Sequence, residues 1–479
     1  MSDVVAPSAA VVDGVTGHRI TGADLHAAVD EIRRGYDELP GGAILLLAPA
    51  TVATVTRYLA ALAARRPVVL LDPGIPAQVL LGLLRRYRPA AVVGLNDAPA
   101  AAAAPPQSWP GYRTACAPGL GEVPRRLHDD VPSCHPDLAV LLATSGSTGE
   151  PKLVRLSRRG LVANARSIVE ALGIDDREVA PTNLPLFYSY GLSVLTSHLL
   201  AGATVVVIDG GVLTRGFWTA CETHGVTSLA GVPRHYEMLA RVRWTPRPQR
   251  LRVLTLAGGA MRVDLVRRLH DQMAARGGRL YVMYGQTEAT ARMTVLPPDR
   301  LPDKLGTVGL PVPGGAVLVR DADGRPTDAP RRTGEVLYRG PNVMLGYAHD
   351  AADLAAGDRL GGELATGDRG YLDEEGFLTL TGRIDRMVKV FGVRVDLDAV
   401  EFVARTRVTE VAAVAGDDRV VVWCARAGAE SCRELATLLS QRLRLHPTGF
   451  EVRPVDLLPL LANGKIDYAR LKRESDDVR

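Results

Sequence analysis

The 479-residue sequence predicts an α/β protein: a large amino-terminal domain with two βαβ-type sheets and a β-rich subdomain, then a small α/β carboxy-terminal domain. Three observations carry this. Short β-branched runs alternate with amphipathic stretches from about 43 to 285. Hairpin-like texture takes over from about 305, and a shorter α/β segment follows Gly382-Arg383-Ile384-Asp385.

The strand-like runs are AILLLAP (43–49), PVVLLDP (67–73), AAVVGL (90–95), LAVLLAT (138–144), ATVVVID (203–209), LRVLTLAG (251–258) and RLYVMYG (279–285). Continuous apolar runs of this length suit strands buried on both faces, as in parallel sheets. Between them, 158–172, 214–224 and 262–275 have helical periodicity, so ligands are expected beyond the strands' carboxyl ends. The run APAAAAAPPQ (98–107) reads as a surface loop. Beyond 305, GAVLVRDADGRP, TGEVLYRGP and GFLTLTGR alternate in the strand period, and DADG and DEEG supply the turns. The resulting boundaries are 1–384, with the β-rich part at about 305–384, and 385–479.

Composition narrows the function. With 47% apolar and 23% charged residues the chain resembles a soluble globular enzyme. A net charge of +4 with no long basic run argues against nucleic acid as the main partner. The opening MSDVVAPSAAVVDGVTGHRI has no positive leader followed by an apolar core, so no signal peptide is expected. The most apolar region, 43–72, is broken by Pro49, Arg57 and Arg65-Arg66-Pro67, so no membrane span is expected. Five scattered cysteines (Cys116, Cys134, Cys221, Cys424, Cys432) form no CxxC pair, which favours a cytoplasmic setting without disulfides or structural zinc. Of 57 basic residues only five are lysine: Lys152, Lys304, Lys389, Lys465 and Lys472. A lysine kept against such a bias towards arginine is a candidate for work that needs a compact, rotatable ammonium.

Four motifs invite chemistry. After the strand at 138–144 comes Thr144-Ser145-Gly146-Ser147-Thr148-Gly149, then Glu150-Pro151-Lys152. It is either a slack surface loop or a phosphate cradle made of backbone N–H groups, hydroxyls and an ammonium. It is not a Walker loop, because Pro151 stands where Gly-Lys would begin. Tyr284-Gly285-Gln286-Thr287-Glu288 is either a plain strand exit or a base-stacking, phosphate-donating and Mg²⁺-holding segment. Asp368 is a turn aspartate or a ribose acceptor, and Asn463-Gly464-Lys465 by itself reads as an exposed turn.

Taken together and in order, these motifs resemble the adenylate-forming superfamily of acyl- and aryl-CoA synthetases, peptide-synthetase adenylation domains and luciferases. The resemblance covers about 45–475 and includes TSGSTGEPK, YGQTE, GEVLYRGPNVMLGY (334–347), ATGDRGYLDEEGFLTLTGR (365–383), GRIDRMVKVFGVRVDLDAVE (382–401) and LANGKID (461–467). It implies activation of a carboxylate by ATP and Mg²⁺ as an acyl-adenylate with release of pyrophosphate, followed by displacement of AMP. It also implies roles. Thr144 to Gly149 and Lys152 would wrap the outer phosphates. Gly258, Gly259 and Ala260 would line the adenine side, and Tyr284, Gly285 and Gln286 would meet the adenine. Thr287 would contact the α-phosphate and Glu288 would hold Mg²⁺. Asp368, with Arg383 nearby, would take the ribose. Lys465 would be the catalytic lysine on a mobile lid hinged at Asp385, whose rotation presents Lys389 and Gly392 to the second substrate.

The segment PLFYSYGLSVLTSHLLAG (185–202) corresponds to the family's acyl pocket, with Tyr188, Ser189, Tyr190 and Gly191 as lining candidates. It lacks a carboxylate to hold an α-ammonium, so a 2-amino acid is disfavoured. The two tyrosines fit an aromatic or unsaturated acid with a polar substituent, or serve only in packing, so an aryl or an unsaturated or fatty acid is expected. Many CoA ligases carry His where Tyr188 stands. The expected acceptor is CoA. The alternatives are a separate phosphopantetheinyl carrier protein, an amine, or nitrite activation leading to a diazo product.

Overall fold

The computed structural model describes residues 4–98, 109–127, 130–144, 152–242, 244–245, 248–321, 323–443, 445–461 and 464–476, without the side chains of Asp385 and Arg394. The described chain divides into two compact units. One takes in the described residues of Met1–Gly146, Glu150–Val317 and Tyr338–Leu364; the other takes in those of Leu318–Leu337 and Ala365–Arg479.

Every expected strand between 43 and 285 is present, and each is short because its apolar run is short. Ile44–Leu47, Val68–Leu71 and Leu138–Thr144 lie parallel in an eight-stranded sheet, with Ala91–Val93 parallel on the far side of Ile44–Leu47. Lys152–Ser157 folds back antiparallel on Leu138–Thr144, and Gly346–Ala348 adds to its outer edge. A second sheet sets Ser228–Gly231, Val253–Leu256 and Arg279–Tyr284 parallel, then Thr294–Leu296 antiparallel. A further, four-stranded sheet joins Thr204–Val207 to the amino-terminal strand Ala10–Asp13. The residues of Ile44–Leu47 and Val253–Leu256 are buried throughout, as strands covered on both faces require.

Helix boundaries follow local chemistry. In Arg158–Leu172 the Ser157 hydroxyl accepts from the Gly160 N–H at 2.9 Å, and Gly173 closes the helix in the left-handed region. The expected helices at 214–224 and 262–275 form as Arg215–Thr223 and Val263–Ala274. Most of the Ala/Pro run at 98–107 lies outside the described residues.

In the second unit the antiparallel hairpin of Glu363–Leu372 and Leu378–Arg383 closes through the predicted DEEG turn. There Asp373 Oδ1 accepts from the N–H groups of Glu375 and Phe377, and Gly376 takes φ +84°. The carboxy-terminal part packs Leu397–Ala404 and Ala429–Leu443 on the sheet of Val411–Ala415, Val420–Ala425 and Phe450–Val455.

A buried ionic knot ties this part together. Glu401, 2% exposed, accepts from Arg386 at 2.6 Å, Arg405 at 2.8 Å, the Ala413 N–H at 2.9 Å and the Tyr468 hydroxyl at 3.1 Å. Arg386 also reaches Asp398 at 2.5 Å and stacks 4.2 Å from the Tyr468 ring centroid. Removing one partner strands the remaining buried charges. Glu401→Ala should therefore lower stability by about 3–5 kcal/mol, read as a fall in the urea midpoint of whichever transition reports this unit.

Candidate active site

The strand Arg279–Tyr284 delivers Tyr284, 9% exposed, to its carboxyl end, and the Gln286 amide donates to the Tyr284 hydroxyl at 3.4 Å. The chain then reverses abruptly. A Cβ on Gly285 would lie 1.6 Å from the Ala291 carbonyl oxygen, so only glycine fits there. Thr287 and Glu288 sit in one 3₁₀ turn, and Thr290 and Ala291 follow at φ +58° and +123°, a region that non-glycine residues avoid.

Two buried asparagines hold this loop. Asn342 donates to the carbonyls of Ala289 at 2.7 Å and Arg292 at 3.1 Å, and Thr290 donates back to the Asn342 carbonyl at 2.6 Å. Asn164 donates to the Arg292 carbonyl at 2.9 Å and accepts from the Arg292 N–H at 3.3 Å. Neither asparagine was singled out from the sequence. Asn342 lies inside the quoted GEVLYRGPNVMLGY stretch, and a buried amide is invisible until the loop it clamps is known.

Two contacts bring distant candidates together. The hydroxyls of Ser189 and Thr287 share a hydrogen bond at 3.1 Å, joining the 185–202 segment to the YGQTE loop. Lys152 places its ammonium 3.8 Å from the Tyr347 ring centroid, and the Tyr347 hydroxyl donates to Glu288 Oε1 at 2.8 Å. Tyr347 thus stands between a cation and a carboxylate, favouring the ammonium with its ring face and the anion with its hydroxyl. It was not predicted, although it ends a quoted motif. Lys152 is opposite Thr144 across the strand pair, and the Thr144 hydroxyl is buried with no hydrogen-bond partner among the described residues. Ser145, Gly146, Ser147, Thr148 and Gly149 lie outside the described residues.

Gly258, Gly259 and Ala260 follow the parallel strand Val253–Leu256, at the same end of the sheet as Tyr284. Gly258 takes φ +88°, and a Cβ on Gly259 would meet Pro233 at 3.4 Å. Tyr188 and Tyr190 are buried edge to face with centroids 6.2 Å apart, and the Tyr190 hydroxyl meets that of Thr255 at 2.7 Å. A Cβ on Gly191 would lie 2.3 Å from the Pro185 carbonyl, which accounts for glycine in that turn of the 185–202 segment.

In the second unit, Asp368 is 7% exposed and faces Arg383 across the hairpin, with its carboxylate 3.6 Å from the guanidinium. Its N–H donates to the Thr366 hydroxyl, which itself donates to the Val336 carbonyl at 2.8 Å. Lys389 lies exposed on Met387–Val390, beside a two-residue turn in which Phe391 and Gly392 both have positive φ. Lys465 is exposed after Gly464, and its carbonyl accepts from the Leu461 N–H at 2.8 Å. Asp385 lies in the turn Ile384–Arg386.

Among the described residues no group of three His, Cys, Asp or Glu side chains gathers to hold a metal. Glu288 offers a carboxylate with one oxygen engaged by Tyr347. A magnesium ion held mainly by nucleotide phosphates and water needs little more from the protein, so the residues fit such an ion.

A strand-end loop bearing a hydroxyl and a carboxylate, with an ammonium held beside them, offers donors and a metal ligand to a phosphorylated substrate. The comparisons agree. Residues 5–348 match the family model described as AMP-binding enzyme. An indoleacetate–CoA ligase of Aromatoleum aromaticum is 31% identical over 78% of this chain and 72% of its own length. A 2-succinylbenzoate–CoA ligase of Bacillus velezensis is 31% identical over 70% of this chain and 68% of its own. The o-succinylbenzoate CoA synthetase of Bacillus subtilis, solved with its acyl-adenylate, superposes with a TM-score of 0.75 at 23% identity over 97% of this chain and 95% of that one. The chain belongs to the AMP-binding enzyme family, within the adenylate-forming superfamily. It is an AMP-forming, acyl-CoA-ligase-like enzyme. Among the described residues no helix is long and apolar enough to cross a membrane.

Tyr347→Phe should keep the ring beneath Lys152 and lose the bond to the Glu288 carboxylate, a cost of about 1.5–3 kcal/mol. Tyr347→Leu should lose a further ~0.5–1 kcal/mol from the cation–π contact. Urea melts of the two variants against wild type separate the terms.

Proposed function

We propose that this enzyme condenses an aryl or unsaturated carboxylic acid with ATP, releases pyrophosphate, and passes the acyl group from the adenylate to CoA. The observation that carries the reading is the link from Ser189 through Thr287 and Glu288 to Tyr347 and Lys152. In this reading the hydroxyls of Ser189 and Thr287, the Glu288 carboxylate and the Lys152 ammonium, linked at the ends of a helix, a turn and a strand, serve the acid, the phosphates and the metal. Named relatives act on indoleacetate and 2-succinylbenzoate, both aromatic acids.

Joining two anions requires positioned cations and donors where charge accumulates at phosphorus. In this reading Lys152 and the segment 144–149 grip the outer phosphates. Thr287 donates to the α-phosphate, and Tyr284, with Gly258, Gly259 and Ala260, borders the adenine. Asp368, with Arg383, takes the ribose hydroxyls. Glu288 would hold magnesium, which when bound neutralises phosphate charge. Lys465 donates to the attacking carboxylate and the α-phosphate in the first half-reaction.

The carboxy-terminal residues from about 385 then turn as a lid about Asp385, and Lys389 and Gly392 face the acceptor. In this reading Arg386, bonded to Glu401 and Asp398, moves with the lid body.

Pyrophosphate release with ATP and Mg²⁺ across aryl, unsaturated and aliphatic acids and nitrite, with and without CoA, tests the reading. One acid should give release that falls about 10²–10³-fold in Lys465→Ala and should yield a CoA thioester. Release that CoA does not convert to product would assign the acyl group to a carrier protein or an amine. Release with nitrite alone would move the enzyme to nitrogen–nitrogen chemistry.

A further inference from the structure

Arg292 leaves the YGQTE loop with its backbone clamped by Asn164 and Asn342, and its side chain runs into the interior, where the residue is only 2% exposed. Its Nε donates to Met283 Sδ at 3.2 Å, a weak acceptor. Its Cζ lies 4.1 Å from the Tyr190 ring centroid. Among the described residues no carboxylate pairs with it, and neither terminal nitrogen of its fork has a hydrogen-bond partner.

The titratable groups around it offer no negative charge. Burial pushes the Tyr188 and Tyr190 hydroxyls up to about 12 and His198 down to about 4, so all three are neutral near pH 7. An arginine cannot shed its proton to escape burial. An unpaired buried cation is costly, and one aromatic face offsets only part of that cost. Elsewhere in the same unit the fully buried Arg155 meets the problem differently, donating to the carbonyls of Leu345, Ala356 and Gly357. Arg292 has no such acceptors.

Its position supplies the missing partner. Tyr188 and Tyr190 flank Ser189, whose hydroxyl bonds Thr287, so the guanidinium borders the segment where the acid is placed above. We infer that Arg292 is a specificity-determining residue whose free fork takes a second carboxylate of the substrate, so that the enzyme activates one end of a dicarboxylic acid. The inference rests on the acid-activating reading. A planar guanidinium with two open terminal nitrogens matches a carboxylate bidentately. Gripping the reacting carboxylate in that way would occupy the lone pairs that must attack phosphorus, so the anion held is the distal one.

The test compares matched probes in ATP–pyrophosphate exchange: succinate with butyrate, glutarate with valerate, and terephthalate with 4-methylbenzoate. Each pair is run on wild type, Arg292→Lys and Arg292→Met, alongside the dissociation constant for ATP and the probe-induced rise in Tm. Wild type should favour a diacid over its partner by about 10²-fold or more in kcat/KM. Arg292→Met should abolish or invert that ratio with the ATP constant unchanged, and Arg292→Lys should keep part of it.

Monoacids equal to or better than diacids in every pair, or a diacid preference that survives in Arg292→Met, would overturn the inference. If Arg292→Met fails to fold, the wild-type ratios and Arg292→Lys decide. The Tm arm needs no chemistry: a diacid-specific rise without exchange would sink the acid-activating reading alone, and neither rise nor exchange would sink both.

Discussion

The reversal of the backbone between Gly285 and Arg292 is the constraint on which the site depends. Its tightness follows from the approach of the Ala291 carbonyl to Gly285, and its unfavourable φ values at Thr290 and Ala291 persist because buried amides from two other elements grip its carbonyls. One rigid loop therefore carries Thr287 and Glu288 at its start and Arg292 at its end. Thr287, Glu288 and Arg292 belong to one clamped stretch of backbone. Ser189 bonds to the same loop through Thr287, which brings the helix Ser189–Leu200 into the same piece.

The electrostatics of that piece rest on separation. Lys152 and Glu288 approach each other through Tyr347 and form no direct ion pair among the described residues. A direct salt bridge would satisfy each charge with the other. With a tyrosine between them, the ring steadies the ammonium and the hydroxyl steadies the carboxylate, and both retain capacity for phosphate oxygens and a metal. Arg292 shows the same economy in the interior, its charge steadied by a ring and a thioether and not neutralised. The second unit does the opposite: around Glu401 every charge is paired within the protein, which suits a knot whose role is to hold elements together.

Much of the fold could be read before any coordinates. Runs such as ILLL and VLTL are too short for helices and too apolar for exposed edges, so they became buried strands at the expected places. The periodic stretch 158–172 became the helix Arg158–Leu172, and Asp373 to Gly376 marked a hairpin. Legibility was lower where meaning depended on a partner far along the chain. Tyr347 and Asn342 lay inside a quoted motif without an assigned role, because nothing in local spacing shows that they meet residues 53 to 59 positions earlier. Arg292 passed unnoticed among 57 basic residues, since an arginine becomes informative only when it is buried without a counter-charge.

By itself, then, the sequence determined the alternation of strands and helices, the hairpin texture after 305 and the family. These properties depend on neighbours a few residues apart, through period, turn propensity and capping. The tertiary structure alone decided that Tyr347 separates Lys152 from Glu288, that Ser189 meets Thr287, and that the Arg292 guanidinium is enclosed with its fork unpaired. Those outcomes depend on burial and on contacts between distant segments, which set the strength of a charge or a hydrogen bond and leave no mark in local order.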